Sequence, residues 1–218
     1  MQVAVDPISL RSTITERISA LIRNRVLDGT LLAGTPLREE DLAREFNVSR
    51  HVIREALRLI AADGLADYSS FKGVRVTRIA PSDVNEIYKA RQFIEQAAIT
   101  GAKKAPDATR IAAIHASFAA AVAEKAWAKA FDLDVDFHAS IVELAASSRL
   151  SEWHRSLFKG LRLAHLVSPA FQEEGLSASV PQHAEIALSL AGGDFARARL
   201  ALEAHLAHAE KQLMERMQ

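Results

Sequence analysis

The sequence predicts a mainly α protein in two parts, residues 1–79 and residues 80–218. Three observations carry this reading. Apolar residues recur at helical spacing three times in the N-terminal third of the chain. The period then drops to two over "LADY" and "VRVTRI". From Pro81 onward alanine is abundant, no strand-like run occurs, and glycine and proline gather at a few junctions.

"STITERISALIRNRVLDG" sets Ile14, Ile18, Leu21, Ile22 and Val26 on one helical face, and Gly29 supplies a stop. "LLAGTPL" is a turn-rich connector. "REEDLAREFNVS" predicts a short helix from about Glu39 to Phe46, opened by acidic residues and ended at Asn47. Ser49 is a good N-cap for a further helix running to Gly64, a natural residue just past a helix end. In "VRVTRI", Val74 and Val76 alternate with Arg75 and Thr77, so two strands joined by the loop "SSFKG" form a hairpin. Beyond Pro81, breaks are expected near Gly101–Pro106, Ser147–Ser148, Ser168–Ser179 and Gly192–Gly193, which leaves about six helices in a bundle.

With 49% hydrophobic and 25% charged residues, the chain has the composition of a globular protein able to bury a core. It has no cysteine, which excludes disulfides and thiolate chemistry and leaves histidines and carboxylates to hold any metal. The start "MQVAVDPISLR" lacks the basic opening of a secretory signal. Apolar stretches such as "IAAIHASFAAAVA" fall short of the roughly 20 residues of a membrane helix. The expectation is a cytoplasmic protein with no membrane partner. Net charge is zero, with 12 basic and 10 acidic residues in 1–78 and 15 and 17 in the remainder. Bulk charge therefore says little about nucleic acid, and the placement of the arginines decides.

That placement is specific in "NVSRHVIREALRLIAADGL". Stepping about 100° per residue, Arg50, His51, Arg54 and Arg58 fall within one arc, while Ile53, Ala56, Leu57 and Ile60 fall nearly opposite. Taken alone, this is an amphipathic helix with a solvated basic face. A short helix precedes it across a tight turn, however, and a hairpin carrying Lys72 and Arg75 follows. The order helix, helix, helix, hairpin is a winged helix-turn-helix, whose recognition helix enters the major groove of double-stranded DNA by its N-terminal end. Arginine there grips guanine edges or phosphates.

"EEDLAREFNVSRHVIREALRLIAADGL…KGVRV" resembles the winged helix of GntR-family transcription regulators over about residues 11–79. The resemblance implies DNA contacts for Ser49, Arg50 and Arg54, with His51 and Arg58 on the same face and Lys72 and Gly73 at the wing tip. Two departures stand out. Glu40 occupies a place where many relatives carry a DNA-contacting arginine, and His51 sits where threonine is usual.

In the second part, "FDLDVDFHASIVELA" places Asp134 and His138 four apart on an apolar helical stripe. His183 shares a stripe with Ile186, Ala187 and Leu190, and His205 lies beside Ala201, Leu202 and Ala209. Periodicity turns all four inward but does not show that they meet. Buried histidines that merely satisfy hydrogen bonds are the ordinary alternative; a set of three imidazoles and a carboxylate is one that borderline divalent metals accept.

D-x-x-F-H-x-x-I, "QHAEIALSLAGGD" and "ALEAHL" are similar to the FCD effector-binding domain of the FadR branch of the same family. The resemblance implies one divalent metal per subunit, zinc first with nickel or manganese as alternatives, on Asp134, His138, His183 and His205. Ser147 departs from it, standing where relatives commonly have asparagine. His115, His154, His165 and His208 match nothing in the pattern and read as surface or packing residues. "EIYKARQFIEQAAI" resembles the start of that domain. Arg91 then either faces an effector cavity or makes a helix-surface pair with Glu95.

Three function classes follow. The first is a homodimeric repressor that binds an inverted-repeat operator and is controlled by a small organic acid near the metal. The second is a metal-dependent hydrolase or isomerase using the same ligands, which lacks any H-E-x-x-H, G-x-S-x-G or Walker sequence and leaves the winged helix idle. The third is an architectural DNA protein, for which the large bundle is surplus.

Overall fold

A computed structural model of the chain describes residues 13–69, 73–102, 107–166 and 169–217. The chain divides into two compact units, Met1–Arg78 and Ile79–Gln218. Among the described residues no helix is long and apolar enough to cross a membrane.

The first unit holds α1 (Ile14–Leu27), α2 (Glu39–Phe46), α3 (Arg50–Ala62), β1 (Ala66–Ser69) and β2 (Gly73–Val76). A capping box starts α1, with the Thr13 hydroxyl accepting from the Glu16 amide and the Glu16 carboxylate accepting from the Thr13 amide. Its buried stripe is Ile18, Ile22 and Val26; Ile14 and Leu21, expected on that stripe, are half exposed at its edges. Asn47 takes the left-handed conformation that turns the chain between α2 and α3. The Ser49 hydroxyl accepts from the Val52 amide and opens α3. Ile53, Ala56, Leu57 and Ile60 are buried along α3, which packs on α1 and α2. Gly64, at φ +74°, ends this run in the left-handed region, where a side chain would be strained.

β1 and β2 pair antiparallel with Ala66 opposite Val76 and Ser69 opposite Gly73. The other edge of β2 is covered by the connector after α1, with Gly34 and Leu37 donating to Val76 and Val74 and the Val76 amide donating to Thr35. The second strand, expected to reach Ile79, ends at Val76 opposite Ala66, the first residue of β1; the Gly64 turn before β1 leaves the Thr77 amide to donate to the Leu65 carbonyl.

The second unit is all helical among the described residues: α4 (Pro81–Thr100), α5 (Ala108–Ala123), α6 (Trp127–Val142), a 3-10 turn (Glu143–Ala145), α7 (Ser148–Leu166), α8 (Pro169–Ala191) and α9 (Phe195–Arg216). Two boundaries differ from expectation. Of the break expected over Ser168–Ser179, Ser168 lies outside the described residues and 169–179 is instead the first half of α8, which continues through Pro181. A break the composition does not announce separates α5 from α6, where Lys125 turns the chain at φ +55° without a glycine. Beside a smaller cluster of Phe118, Ala121, Ala130 and Leu176, the main core cluster includes Val84, Ile99, Phe137, Ile141, Leu161, Ile186 and Leu202. α4, α6, α8 and α9 all bear on it, and this brings their inward polar residues together.

Candidate functional site

The exposed face of α3 is basic, and its charges are engaged with carboxylates. Arg54 makes a two-pronged bond to Glu39 at 2.9 and 2.7 Å. Arg50 reaches Glu40 at 2.7 Å and Arg58 reaches Glu55 at 2.7 Å. The Arg54 guanidinium holds the Glu39 carboxyl below its ordinary range despite the opposing effect of partial burial. His51 is exposed on the same helix. Gly73 opens β2 at φ +75°, with open space where a side chain would stand. Lys72, expected at the wing tip, lies outside the described residues.

In the second unit, α6, α8 and α9 supply His138, His183 and His205, all buried. The Nε2 of His205 lies 3.2 Å from that of His138 and 3.3 Å from that of His183. Asp134, one turn before His138, puts Oδ1 at 3.5 Å from His183 Nε2 and 3.9 Å from His138 Nε2. Phe137 stacks flat on the His183 ring at 4.1 Å and fixes its plane.

Hydrogen-bond partners set the proton positions of two of these rings. His138 Nδ1 is 2.7 Å from Glu95 Oε2. An ionised carboxylate only accepts, so the ring donates from Nδ1, which in the neutral imidazole leaves a bare lone pair on Nε2. His205 Nδ1 is 2.7 Å from the Gln182 side-chain oxygen, with the same consequence. Two lone pairs thus face each other across 3.2 Å, an arrangement that a cation or a proton relieves. Burial, reinforced by the neighbouring imidazoles, keeps His183 and His205 well below the usual histidine range and hence neutral at pH 7. Burial likewise pushes the Asp134 carboxyl up, so a negative Asp134 wants a positive partner. Nitrogens about 2.1 Å from a tetrahedral zinc sit about 3.4 Å apart, close to the spacings here. The donor set and its geometry fit a divalent metal.

Arg91 belongs to the core. It is 2% exposed, its Nε donates to Glu95 Oε1 at 2.9 Å, and its guanidinium lies over the Phe158 and Tyr88 rings. The helix-surface alternative for Arg91 and Glu95 is therefore incorrect. Arg91 Nη2 is buried with no hydrogen-bond partner, and Arg91 lines a narrow cavity of about 20 Å³ with Tyr88, Asp134, Leu176, Ser179 and His205. That space holds about one water molecule. A roomier open cleft of about 510 Å³ lies against Pro181, Glu185, Leu188 and Arg197. Its Glu185 and Arg197 are paired with each other at 3.2 Å and more than half exposed, so chemistry rather than volume selects the smaller cavity.

The sequence reading gives Glu95 and His154 no role at this centre. Glu95 is completely buried and accepts from Arg91, His138 and His154, the last at 2.9 Å from His154 Nε2. Burial alone would raise its pKa; His138 and Arg91 hold it well below the usual carboxylate range. His154 on α7 is a buried partner of this carboxylate, and His165 is buried edge-on against Phe131, so neither is a surface residue. The spacing of Arg91 and Glu95 was legible in the sequence, but nothing local distinguished a core pair from a solvated one. His115 is half buried against the Val180 carbonyl and His208 is exposed, as a packing or surface reading has them.

A helix-turn-helix with an arginine face, a β-hairpin behind it and a helical domain with a buried polar centre define a DNA-binding transcription regulator. Residues 14–76 match the model of bacterial regulatory proteins of the gntR family, and residues 86–208 match that of the FCD domain. The chain belongs to the GntR family of regulators that carry an FCD domain. A probable D-xylose utilization operon transcriptional repressor of Paenarthrobacter nicotinovorans is 29% identical over 90% of this chain and 87% of that protein. An HTH-type transcriptional regulator of Bacillus subtilis, YdhC, is 40% identical over 36% of this chain, spanning 35% of that relative. The crystal structure of a GntR regulator from Rhodococcus sp. RHA1 superposes with a TM-score of 0.83 at 27% identity, covering 94% of this chain and 99% of that one. The family consists of transcription regulators, not enzymes, and nothing in these comparisons supports the hydrolase or isomerase reading.

Proposed function

We propose that the protein is a homodimeric repressor whose grip on an inverted-repeat operator is set by a small carboxylate bound beside a divalent metal. The observation that carries the proposal is the convergence of three imidazole Nε2 atoms next to a buried arginine with an unsatisfied donor. A two-fold dimer presents two equal recognition helices, so the operator is pseudo-palindromic. Ser49 at the start of α3, Arg50, His51, Arg54 and Arg58 on it, and Lys72 and Gly73 at the wing form the DNA face. Asp134, His138, His183 and His205 hold the metal, with zinc ahead of nickel and manganese. The metal supplies a positive charge with positions open to an oxygen anion. Arg91 Nη2 takes the anion's carboxylate by a charge-assisted hydrogen bond. Among the relatives, repressors named for D-xylose and gluconate operons agree with control of a catabolic operon.

The cavity must widen before anything larger than water enters, so effector binding and displacement of the surrounding helices are one event. An effector acts only through such a difference between two arrangements of the protein. A typical coupling changes operator affinity roughly 5- to 150-fold. The test is elemental analysis of purified protein, then organic acids titrated into the protein–operator complex with and without chelator. One equivalent of metal and an acid whose effect vanishes on chelation are expected. An acid that acts equally well on the metal-stripped protein overturns the metal's part, and acids that stabilise the protein without moving operator affinity overturn the sensor.

A further inference from the structure

Glu95 stands between the arginine and the histidines. Its Oε2 accepts from His138 Nδ1 at 2.7 Å, while its Oε1 accepts from Arg91 Nε and from His154 Nε2, each at 2.9 Å. The four side chains come from α4, α6 and α7 and are almost fully excluded from solvent. The two oxygens do different work. Oε1 is tied down from two sides, which prevents the carboxylate from rotating. Oε2 is left with His138 as its partner, which fixes both the orientation of that ring and the nitrogen that carries the proton.

We propose that Glu95 is the positioning residue of the metal centre: braced by Arg91 and His154, it presents His138 with its Nε2 lone pair turned toward His183 and His205. This rests on the reading that those histidines hold a metal. A ring free to flip would offer Nδ1 or an Nε2–H instead, and neither serves as a ligand there. A carboxylate behind the ring also raises the basicity of the coordinating nitrogen. Without Glu95, the Arg91 charge would have no buried counterpart and would oppose a cation nearby. Arg91 bridges both functions, because charge arriving at its Nη2 is felt at His138 through a single carboxylate.

The experiment measures Zn²⁺ affinity of the full-length protein by competition with a chromogenic chelator, for wild type, Glu95→Gln and His154→Gln. Glutamine has the size of glutamate but points an N–H₂ at groups that themselves donate. Glu95→Gln is expected to weaken Zn²⁺ binding about 10- to 100-fold. His154→Gln, which touches the brace and not the ligand, should lose less than about a tenth of that. Glu95→Gln binding Zn²⁺ as wild type does overturns the proposal while leaving the metal reading intact. Wild type that takes up no Zn²⁺ overturns both. Where Glu95→Gln fails to fold, ¹⁵N spectra of the metal-free wild-type imidazoles decide. His138 protonated on Nδ1 is expected, and a proton on Nε2 refutes the proposal.

Discussion

The molecule contains two sets of arginine–carboxylate pairs whose surroundings could hardly differ more. On α3, Arg50 and Glu40 are each 62% exposed, and the Arg54–Glu39 and Arg58–Glu55 pairs are also open to water. In the bundle, Arg91 and Glu95 are 2% and 0% exposed. Solvent-exposed pairs contribute little because water and salt replace either partner. A buried pair cannot be separated without leaving a charge in a medium that will not solvate it. The outer pairs are therefore exchangeable, and an arginine can leave its glutamate for a phosphate or a guanine edge. The inner pair is a fixture, and its value is the geometry it imposes on neighbours. The same two functional groups make a recognition surface in one place and a scaffold in the other.

Four measurements would break or sharpen this contrast. The largest effect belongs to Arg91→Met, which leaves Glu95 buried without its guanidinium and should cost about 3 to 5 kcal/mol in the urea unfolding of metal-free protein. A loss below about 1 kcal/mol would mean that water reaches the pair and the contrast fails. Next comes Arg54→Ala. Its expected signature is operator affinity reduced on the order of 10- to 100-fold, with relaxed preference at one position per half-site and an unchanged unfolding midpoint. An operator shift like that of wild type would remove Arg54 from the recognition surface.

A third measurement probes burial through pH. His165 is buried, which pushes its pKa down to about 3 from an ordinary 6.5. Its folded form stays neutral while the unfolded form takes up a proton. The associated stability is thus fully present above about pH 6.5 and is lost as the pH falls toward 3, by about 1.4 kcal/mol per unit. Unfolding free energies of metal-free protein between pH 6 and 4 should fall on acidification, with the buried His154, His183 and His205 adding to the fall, and His165→Gln should reduce the slope by about 1.4 kcal/mol per unit. An unchanged slope in the variant would show that the ring is solvated. The smallest effect is Glu40→Gln, which frees Arg50 and removes a negative charge from a face that meets phosphates. Non-specific DNA affinity should rise a few-fold at low salt and thermal stability should stay as it was. A destabilised variant would place that pair with the inner set.

Legibility in the sequence tracks distance along the chain. The arc shared by Arg50, Arg54 and Arg58, the Ser49 cap, the Asn47 turn and the Asp134–His138 spacing all lie within a few residues, and helix geometry alone converts spacing into direction. These were readable before any fold was known, as was the inward phase of His183 and His205. Where the chain departed from the reading, a local signal misled. Residues 169–179 look like a loop by composition, yet Gly175 lies within α8, as does Pro181 just beyond them. The α5–α6 turn at Lys125 carries no glycine to mark it. By itself the sequence determined the order of elements, the face each helix presents and the residue types available for chemistry, because each follows from backbone geometry acting over one or two turns. Only the tertiary structure decided that Arg91 and Glu95 are buried instead of solvated, that His154 joins them from 59 residues away, and that three imidazole nitrogens come within hydrogen-bonding distance. Those facts depend on how far each helix is shifted and rotated against its neighbours. That arrangement is set by the packing of the whole apolar core, to which every residue of the cluster contributes and which no short segment encodes.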